Sequence, residues 1–189
     1  MSNTFFASDH HLGHEAMMKF TREDGSPLRV FEDATHMNEY MIMQHNRVVG
    51  PKDKTYFLGD LAMSKKFLPL LHRMNGEKVL IRGNHDLESA DVYMRYFKDV
   101  RGVHQFDGMV LSHIPLHPDS LYRWKVNVHG HLHANRVMKS ATFGSEVLHY
   151  APKVVDERYQ SVCMEQLDDY TPISIEQLKT RIRNLGLIE

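Results

Sequence analysis

Five short apolar stretches of the chain each lead into side chains that can bind a metal ion. The stretches are rich in β-branched and aromatic residues and are bounded by Gly or Asp, a pattern typical of buried strands. They cover residues 4–7, 55–58, 78–81, 109–112 and 126–128. We therefore predict five strands with polar side chains at their carboxyl ends.

Helical patterns lie between and after these strands. Apolar spacing and helix-end signals predict helices at about 33–48, 64–74, 89–97 and 174–184. The last begins with Ser174 as its N-cap and Gln177 as its capping-box partner. Strands alternating with helices favour an α/β fold, in which ligands gather at the carboxyl ends of the strands.

The second half of the chain has a different pattern. Residues 100–165 contain short strand-like runs with little helix between them, so we expect mixed sheet pairing there. The segment 134–158, which contains Gly144 and Pro152, is compatible with an extra hairpin. Because no repeat or linker interrupts the chain, we expect a single domain over residues 1–189.

Composition narrows the classes of function. The 189 residues carry 23 Lys and Arg against 24 Asp and Glu, which disfavours a strongly basic nucleic-acid binder or a polybasic membrane module. No signal peptide or spanning segment is predicted, and we expect a cytoplasmic protein. The lone Cys163 excludes an internal disulfide and a thiolate metal cluster. The 14 histidines point instead to imidazole and carboxylate chemistry.

The strand ends together supply more donors than one metal ion normally takes, but about enough for two. These candidate ligands are Asp9, His11, Asp60, Asn84, His113, His131 and His133. Mixed imidazole and carboxylate donors suit manganese, iron, cobalt, nickel or zinc better than magnesium or calcium. Asp60 stands alone after a central strand and is the natural bridging carboxylate, while Asn84 can ligate through its amide carbonyl.

The order of these motifs resembles that of the calcineurin-like metallophosphoesterase superfamily. The blocks that carry the resemblance are Asp9-x-His11, Gly59-Asp60, Gly83-Asn84-His85-Asp86, His113 and Gly130-His131-x-His133. Further similarity to its small bacterial and phage branch lies at Ser8-Asp9-x-His11-x-Gly13-His14, Asn46, Val162-Cys163-Met164-Glu165 and Asp169-Tyr170-x-Pro172. The segment 134–158 does not obviously follow that pattern.

The resemblance implies a four-layer sandwich of two mixed β-sheets flanked by helices. It also implies two divalent ions, with manganese favoured. One ion would be held by Asp9, His11, Asp60 and His133, and the other by Asp60, Asn84, His113 and His131. A hydroxide bridging the ions would attack phosphorus. His85 would protonate the leaving oxygen, a role that suits an imidazole near neutral pH.

Other polar residues near the motifs could contact substrate or support the site. Asn84 and His85 are expected to contact substrate, and His14 and Arg82 are further candidates. For His10 a structural or surface role is favoured. Asp86 either caps the following turn or orients His85, with the cap slightly favoured.

We expect a phosphodiesterase acting on a nucleotide-like or other small diester, because the sequence shows no clear arginine cluster that would bind a dianionic monoester. Arg29, Arg82 and Arg136 could still converge in space. One alternative is a nuclease or nucleic-acid end phosphatase that uses Tyr122-Arg123-Trp124-Lys125. Another is a non-catalytic metal-binding scaffold for protein partners. No membrane partner is expected, and no pattern indicates an oligomeric state.

Overall fold

The computed structural model describes residues 2–143, 146–147 and 152–188. Its strands are β1 (Thr4–Ala7), β2 (Lys54–Phe57), β3 (Glu77–Ile81), β4 (Asp99–Arg101), β5 (Val103–Phe106), β6 (Met109–Ser112), β7 (Val126–His129), β8 (Met138–Ser140), β9 (Thr142–Phe143), β10 (Glu146–Val147), β11 (Lys153–Val155), β12 (Tyr159–Ser161) and β13 (Ile173–Ser174). Its α-helices are α1 (Ala34–Val48), α2 (Ala90–Tyr93) and α3 (Ile175–Asn184). The 3₁₀ helices are Glu15–Met18, Lys65–Arg73, Pro118–Arg123, Met164–Gln166 and Asp168–Tyr170. The predicted α/β class is confirmed.

Two mixed sheets form the framework of the molecule. The larger sheet has the strand order β13-β1-β2-β3-β4, in which β13 is antiparallel to β1 and the other neighbours are parallel. The smaller sheet has the order β12-β7-β6-β5, and its β5–β6 pair is antiparallel. The carboxyl ends of β1, β2 and β3 therefore lie at one edge, as do those of β6 and β7.

One apolar core joins the two sheets. Phe6 and Ile81 from the larger sheet lie in the same buried cluster as Leu111 and Val128 from the smaller one. The opposite face of the larger sheet packs against helical segments through a second cluster that contains Phe57. Burial on both faces explains why β1, β2 and β3 read as continuous apolar runs rather than as alternating ones.

Helices α1 and α3 agree with their predicted positions more closely than the two helical segments between them. Helix α1 lies within the predicted segment 33–48, and α3 has the expected capping box of Ser174 and Gln177. The segment at 65–73 is a 3₁₀ helix that contains Pro69 in its interior, where an α-helix would need a backbone N–H group. Helix α2 is shorter than the predicted 89–97 and covers Ala90–Tyr93.

The segment 134–158 contains added strand pairs, in agreement with the expected hairpin. Strand β8 pairs antiparallel with β11, and β9 pairs antiparallel with β10. Gly144, which the sequence placed in this segment, lies outside the described residues. No helix in the described ranges is long and apolar enough to cross a membrane.

Candidate metal centre

All five predicted motifs meet at the carboxyl ends of the strands. Backbone hydrogen bonds tie the loops together there: Asp9 N–H donates to the Gly59 carbonyl and His11 N–H to that of Asp60, each at 3.0 Å. Gly130 N–H donates to the His113 carbonyl at 2.9 Å, which joins the loops after β6 and β7. The loops therefore form one connected surface across both sheets.

Six of the seven candidate ligands form two groups suited to metal ions. We call Asp9, His11 and His133 the buried cluster, and Asp60, His113 and His131 the open cluster. Within each cluster the potential ligand atoms lie within 4.8 Å of one another. His131 is exposed, whereas Asp9 and His11 are buried.

The seventh candidate, Asn84, belongs to the open cluster. Its Oδ1 lies 2.9 Å from His113 Nε2 and 2.9 Å from His131 Nδ1. Asp60 lies between the clusters, because its Oδ2 is 3.3 Å from His113 Nε2 and 3.9 Å from His11 Nε2. The arrangement supports the predicted places of Asp60 and Asn84.

Unsatisfied polar atoms test whether these residues fit metal ions. Asp9 Oδ1 and both ring nitrogens of His11 are buried and have no hydrogen-bond partner among the described residues. Buried polar groups nearly always have a partner, and losing one costs about 1–3 kcal/mol. Asp9 Oδ1 lies 3.8 Å from His11 Nε2 and 3.9 Å from His133 Nε2. The donor set therefore fits a cation.

The backbone at the candidate ligands is strained. The residues in the left-handed region are Asp9 (φ 60°), His11 (φ 51°), Asp60 (φ 55°), His131 (φ 71°) and His133 (φ 52°). Such conformations cost about 1–3 kcal/mol each in residues other than glycine, and they cluster at functional sites. Five of the seven candidate ligands adopt one, which supports a functional role for the centre.

Two motif glycines are required by close approach. A Cβ atom at Gly83 would collide with Asp60 Oδ1, and a Cβ atom at Gly130 would collide with Ser8 Oγ. The glycines of the Gly-Asn-His-Asp and Gly-His-x-His blocks therefore allow the loops to approach the acidic residues.

The carboxylates and histidines shift each other's pKa values. Burial alone would raise the pKa of Asp9, but the His11, His113 and His133 rings and the Ser8 hydroxyl lower it overall. Burial likewise opposes ionisation of Asp60, yet His113 lowers its pKa. Both carboxyl groups are therefore anionic at neutral pH, as ligands need to be.

A second layer of polar groups surrounds the buried cluster. The Ser8 hydroxyl and the Cys163 thiol donate to Asp9 Oδ2, at 2.5 and 3.2 Å. Glu165 lies behind His133 and pairs with the buried Arg29. From the sequence, Arg29 was one of three arginines that could converge in space, and neither Arg29 nor Glu165 was predicted to contact a ligand. Glu165 lay in a matching motif, whereas no local pattern marks Arg29.

His85 lies at the rim of the centre. Its backbone N–H donates to Asp60 Oδ1 at 2.8 Å, and its exposed ring is 5.5 Å from the His11 ring. Asp86 binds neighbouring backbone N–H groups, those of Gly83 at 2.8 Å and Asp60 at 2.9 Å. Asp86 thus joins two ligand loops rather than capping the turn that follows.

The remaining candidates lie at different distances from the clusters. His14 is half-buried, and its ring lies 5.7 Å from His11 and 5.9 Å from Phe20. Arg82 donates to the backbone carbonyls of Asp86 and Glu88, at 2.7 and 2.5 Å. Its expected contact with substrate stays a prediction.

His10 and His129 are buried near the ligands. Burial lowers the pKa of His10 to about 3 and that of His129 to about 4. The His10 ring lies 5.4 Å from Phe57. Both histidines are therefore neutral at physiological pH.

Three cavities adjoin the centre. The first, of about 630 Å³, is bordered by His131 and His133 on one side and by Lys19, Phe20 and Arg22 on another. A second, of about 340 Å³, adjoins Asn84 and His113. The third, of about 170 Å³, adjoins His85. Substituents of a bound ligand therefore have space on several sides of the clusters.

The tract considered for nucleic-acid binding is divided between surface and core. Tyr122 is exposed, with the Arg123 guanidinium 5.4 Å from the centre of its ring. Trp124 packs against the apolar cluster of Val110 and Leu121. Base stacking at this tract would therefore depend on Tyr122.

The chain has relatives in an archaeon and in a phage. This chain is 34% identical over 174 residues to an uncharacterized protein of Methanocaldococcus jannaschii. The match covers 82% of this chain and 89% of that protein. This chain belongs to the same family. A second relative, the gene 66 protein of Mycobacterium phage L5, is 32% identical over 92 residues. This match covers 46% of this chain and 41% of that protein. No family model matches the chain.

A solved structure shares the fold. The crystal structure of AQ665, a protein of unknown function from Aquifex aeolicus, matches 95% of this chain and 99% of its own with a TM-score of 0.67. The two sequences are 21% identical. The arrangement of sheets and helices described above therefore also occurs in that protein.

Proposed function

We propose that the protein is a dinuclear metal-dependent phosphoester hydrolase that prefers small diesters. The observation that carries the proposal is the pair of ligand clusters around Asp60, with unsatisfied buried atoms on Asp9 and His11. Two mixed sheets with a common core further support the calcineurin-like sandwich as the fold.

The donor atoms divide naturally between two ions. Asp9, His11, Asp60 and His133 would hold one ion, and Asp60, Asn84, His113 and His131 the other. When bound, such ions stabilise charge on a phosphoryl group and activate water as a nucleophile. Mixed nitrogen and oxygen donors favour transition metals, and manganese is the ion that we propose.

His85 would supply a proton to the leaving oxygen. Its exposed ring adjoins a cavity, and its backbone is fixed by the hydrogen bond to Asp60. A side chain held next to the ligands but outside both clusters can carry a proton without coordinating an ion. General acid catalysis of this kind contributes about 10²–10⁴-fold to rate.

The contacts of three arginines support a diester as substrate. Arg29 pairs with Glu165, Arg82 holds backbone carbonyls, and Arg136 lies 3.3 Å from Glu157. Each arginine thus has its own partner, so these three do not form a shared clamp for a dianion. A diester, with a single phosphoryl charge, has less need of one.

The cavity beside His131 and His133 supports a nucleotide-like substituent. Phe20 exposes 47% of its surface and can stack against a planar ring. Lys19 and Arg22 line the same cavity and can attract further negative charge.

The proposal is tested by comparing an aryl phosphodiester with the matching monoester, using chelator-stripped protein before and after addition of Mn²⁺. We expect hydrolysis that requires Mn²⁺ and favours the diester. His85→Ala should lower the rate about 10²–10⁴-fold with unchanged metal content. The control His117→Ala alters an exposed histidine next to Asp119 and should leave the rate unchanged.

Other outcomes would point elsewhere. A monoester preference would overturn the diester assignment. Ion binding without turnover of either ester would favour a scaffold, and salt-sensitive cleavage of oligonucleotides would favour a nuclease.

A further inference from the structure

A buried ion pair lies directly behind one of the candidate ligands. Arg29 Nε and Nη2 each lie 2.7 Å from Glu165 Oε1, and neither side chain is exposed. The same oxygen lies 3.0 Å from His133 Nδ1. Glu165 therefore joins a buried cation to a histidine of the buried cluster.

The two nitrogens of His133 face different partners. Nδ1 faces Glu165, whereas Nε2 faces Asp9 Oδ1 at 3.9 Å. A carboxylate beside Nδ1 favours the tautomer with its proton on that atom. The lone pair of Nε2 then points into the buried cluster, as a metal ligand requires.

Arg29 extends this connection to the loop after β1. Its guanidinium also donates to the carbonyls of Asp9 and His10. One side chain thus connects Glu165 to the loop that carries Asp9 and His11. Burying an ion pair is a poor way to gain stability, because desolvation offsets the attraction. A role in positioning His133 explains why Arg29 and Glu165 are charged residues at this buried place.

We propose that Glu165 is a positioning residue that sets the tautomer and ring orientation of His133 for an ion in the buried cluster. Arg29 holds Glu165 in place. The inference rests on the proposed function because it assumes that the clusters bind ions.

The open cluster has a different outer layer, so the effect should be selective. His113 Nδ1 lies 2.7 Å from the Leu58 carbonyl. The Asn84 amide beside His131 Nδ1 is itself a candidate ligand. Among the described contacts, neither histidine has a carboxylate in the place that Glu165 takes behind His133. Loss of the Glu165 charge should therefore weaken one ion site and spare the other.

The test compares Mn²⁺ binding by stripped wild-type protein and Glu165→Gln in a calorimetric titration. We expect two sites in the wild type. One should bind about 10–100-fold more weakly in the variant, and the other should be unchanged. Equal affinities in both proteins, or equal weakening at both sites, would overturn the inference. The control is Asp156→Asn, which removes the charge of a buried carboxylate that pairs with Arg158. It should leave both sites unchanged.

A second measurement does not depend on the variant's folding. Nitrogen-15 NMR of metal-free wild-type protein, at a pH high enough for the His133 ring to carry a single proton, should show that proton on Nδ1. A proton on Nε2 would overturn the inference even if two ions bind. If the wild type binds no Mn²⁺, both the proposed function and the inference fail. If Glu165→Gln loses Mn²⁺ affinity at one site only, the inference holds even when no phosphoester is hydrolysed.

Discussion

The buried and open clusters use the same kinds of side chain but differ in what lies behind them. Asp9 accepts hydrogen bonds from Ser8 and Cys163, and His133 is backed by Glu165. In the open cluster the Leu58 carbonyl lies behind His113, whereas the Asn84 amide is itself a candidate ligand. Similar ligands therefore have a buried ion pair behind the histidine of one cluster and a backbone carbonyl behind a histidine of the other.

This difference predicts an order of ion binding. Outer carboxylates raise the basicity of a ligand histidine and fix its orientation. The buried cluster should therefore bind its ion more tightly and release it more slowly. The open cluster, with the exposed His131, should exchange its ion more readily.

The largest expected effect comes from removing one histidine from each cluster. His133→Ala should lose the tightly bound ion, and the matched His131→Ala should lose the weaker one. Either change should lower diester hydrolysis about 10³-fold, since each ion would stabilise charge in the transition state. Elemental analysis after dialysis counts the ions that remain. Two ions retained in either variant would contradict the assigned ligands.

A smaller expected effect is on the pH dependence of stability, and it comes from His45 in the protein core. His45 stacks on Phe57, which also contacts His10. Burial, with Lys78 nearby, lowers the pKa of His45 to about 4. The unfolded chain therefore binds a proton that the folded chain does not. The neutral His45 therefore stabilises the folded state fully above about pH 6.5. About 3 kcal/mol of the free energy of unfolding is lost as the pH falls from there to 4.

Urea unfolding of metal-free protein at pH 7 and pH 4 measures this loss. His45→Gln keeps a donor for the Asn75 carbonyl but cannot titrate. The variant should therefore lose less stability on acidification than the wild type. Equal losses in the two proteins would show that His45 does not contribute to the acid sensitivity.

The smallest effect tests which cavity receives the substrate. Phe20→Ala should raise KM for a nucleotide diester about 10-fold, because stacking on an aromatic ring is worth about 1–3 kcal/mol. Phe20→Tyr keeps the ring and should restore KM. A small diester without an aromatic group should show no change. An unchanged KM for the nucleotide diester would exclude Phe20 as the stacking surface.

Much of the site could be predicted because its information is local. Each strand is an apolar run, each turn is marked by Gly or Asp, and parallel strands bring their carboxyl ends together. Asp60 and His113 could therefore be placed near each other from sequence order. The α/β class followed from the same pattern, as did mixed sheet pairing within residues 100–165.

The rest depends on contacts that local patterns do not contain. Arg29 and Glu165 are 136 positions apart and meet only when the two sheets pack. The segment at 65–73 has apolar spacing that suggested an ordinary helix, but Pro69 favours the tighter 3₁₀ form. For Asp86 a cap of its own turn was slightly favoured over orienting His85, whereas its partners include the distant Asp60. Each difference arises from tertiary packing or from backbone chemistry.

The central claim is that the two clusters hold two ions. Anomalous diffraction from crystals grown with Mn²⁺ tests it directly, because the signal locates manganese independently of any reaction. The account predicts two peaks, one at Asp9, His11 and His133 and one at Asp60, His113 and His131, with Asp60 contacting both. The absence of peaks at the clusters, or one peak that all seven ligands share, would contradict it.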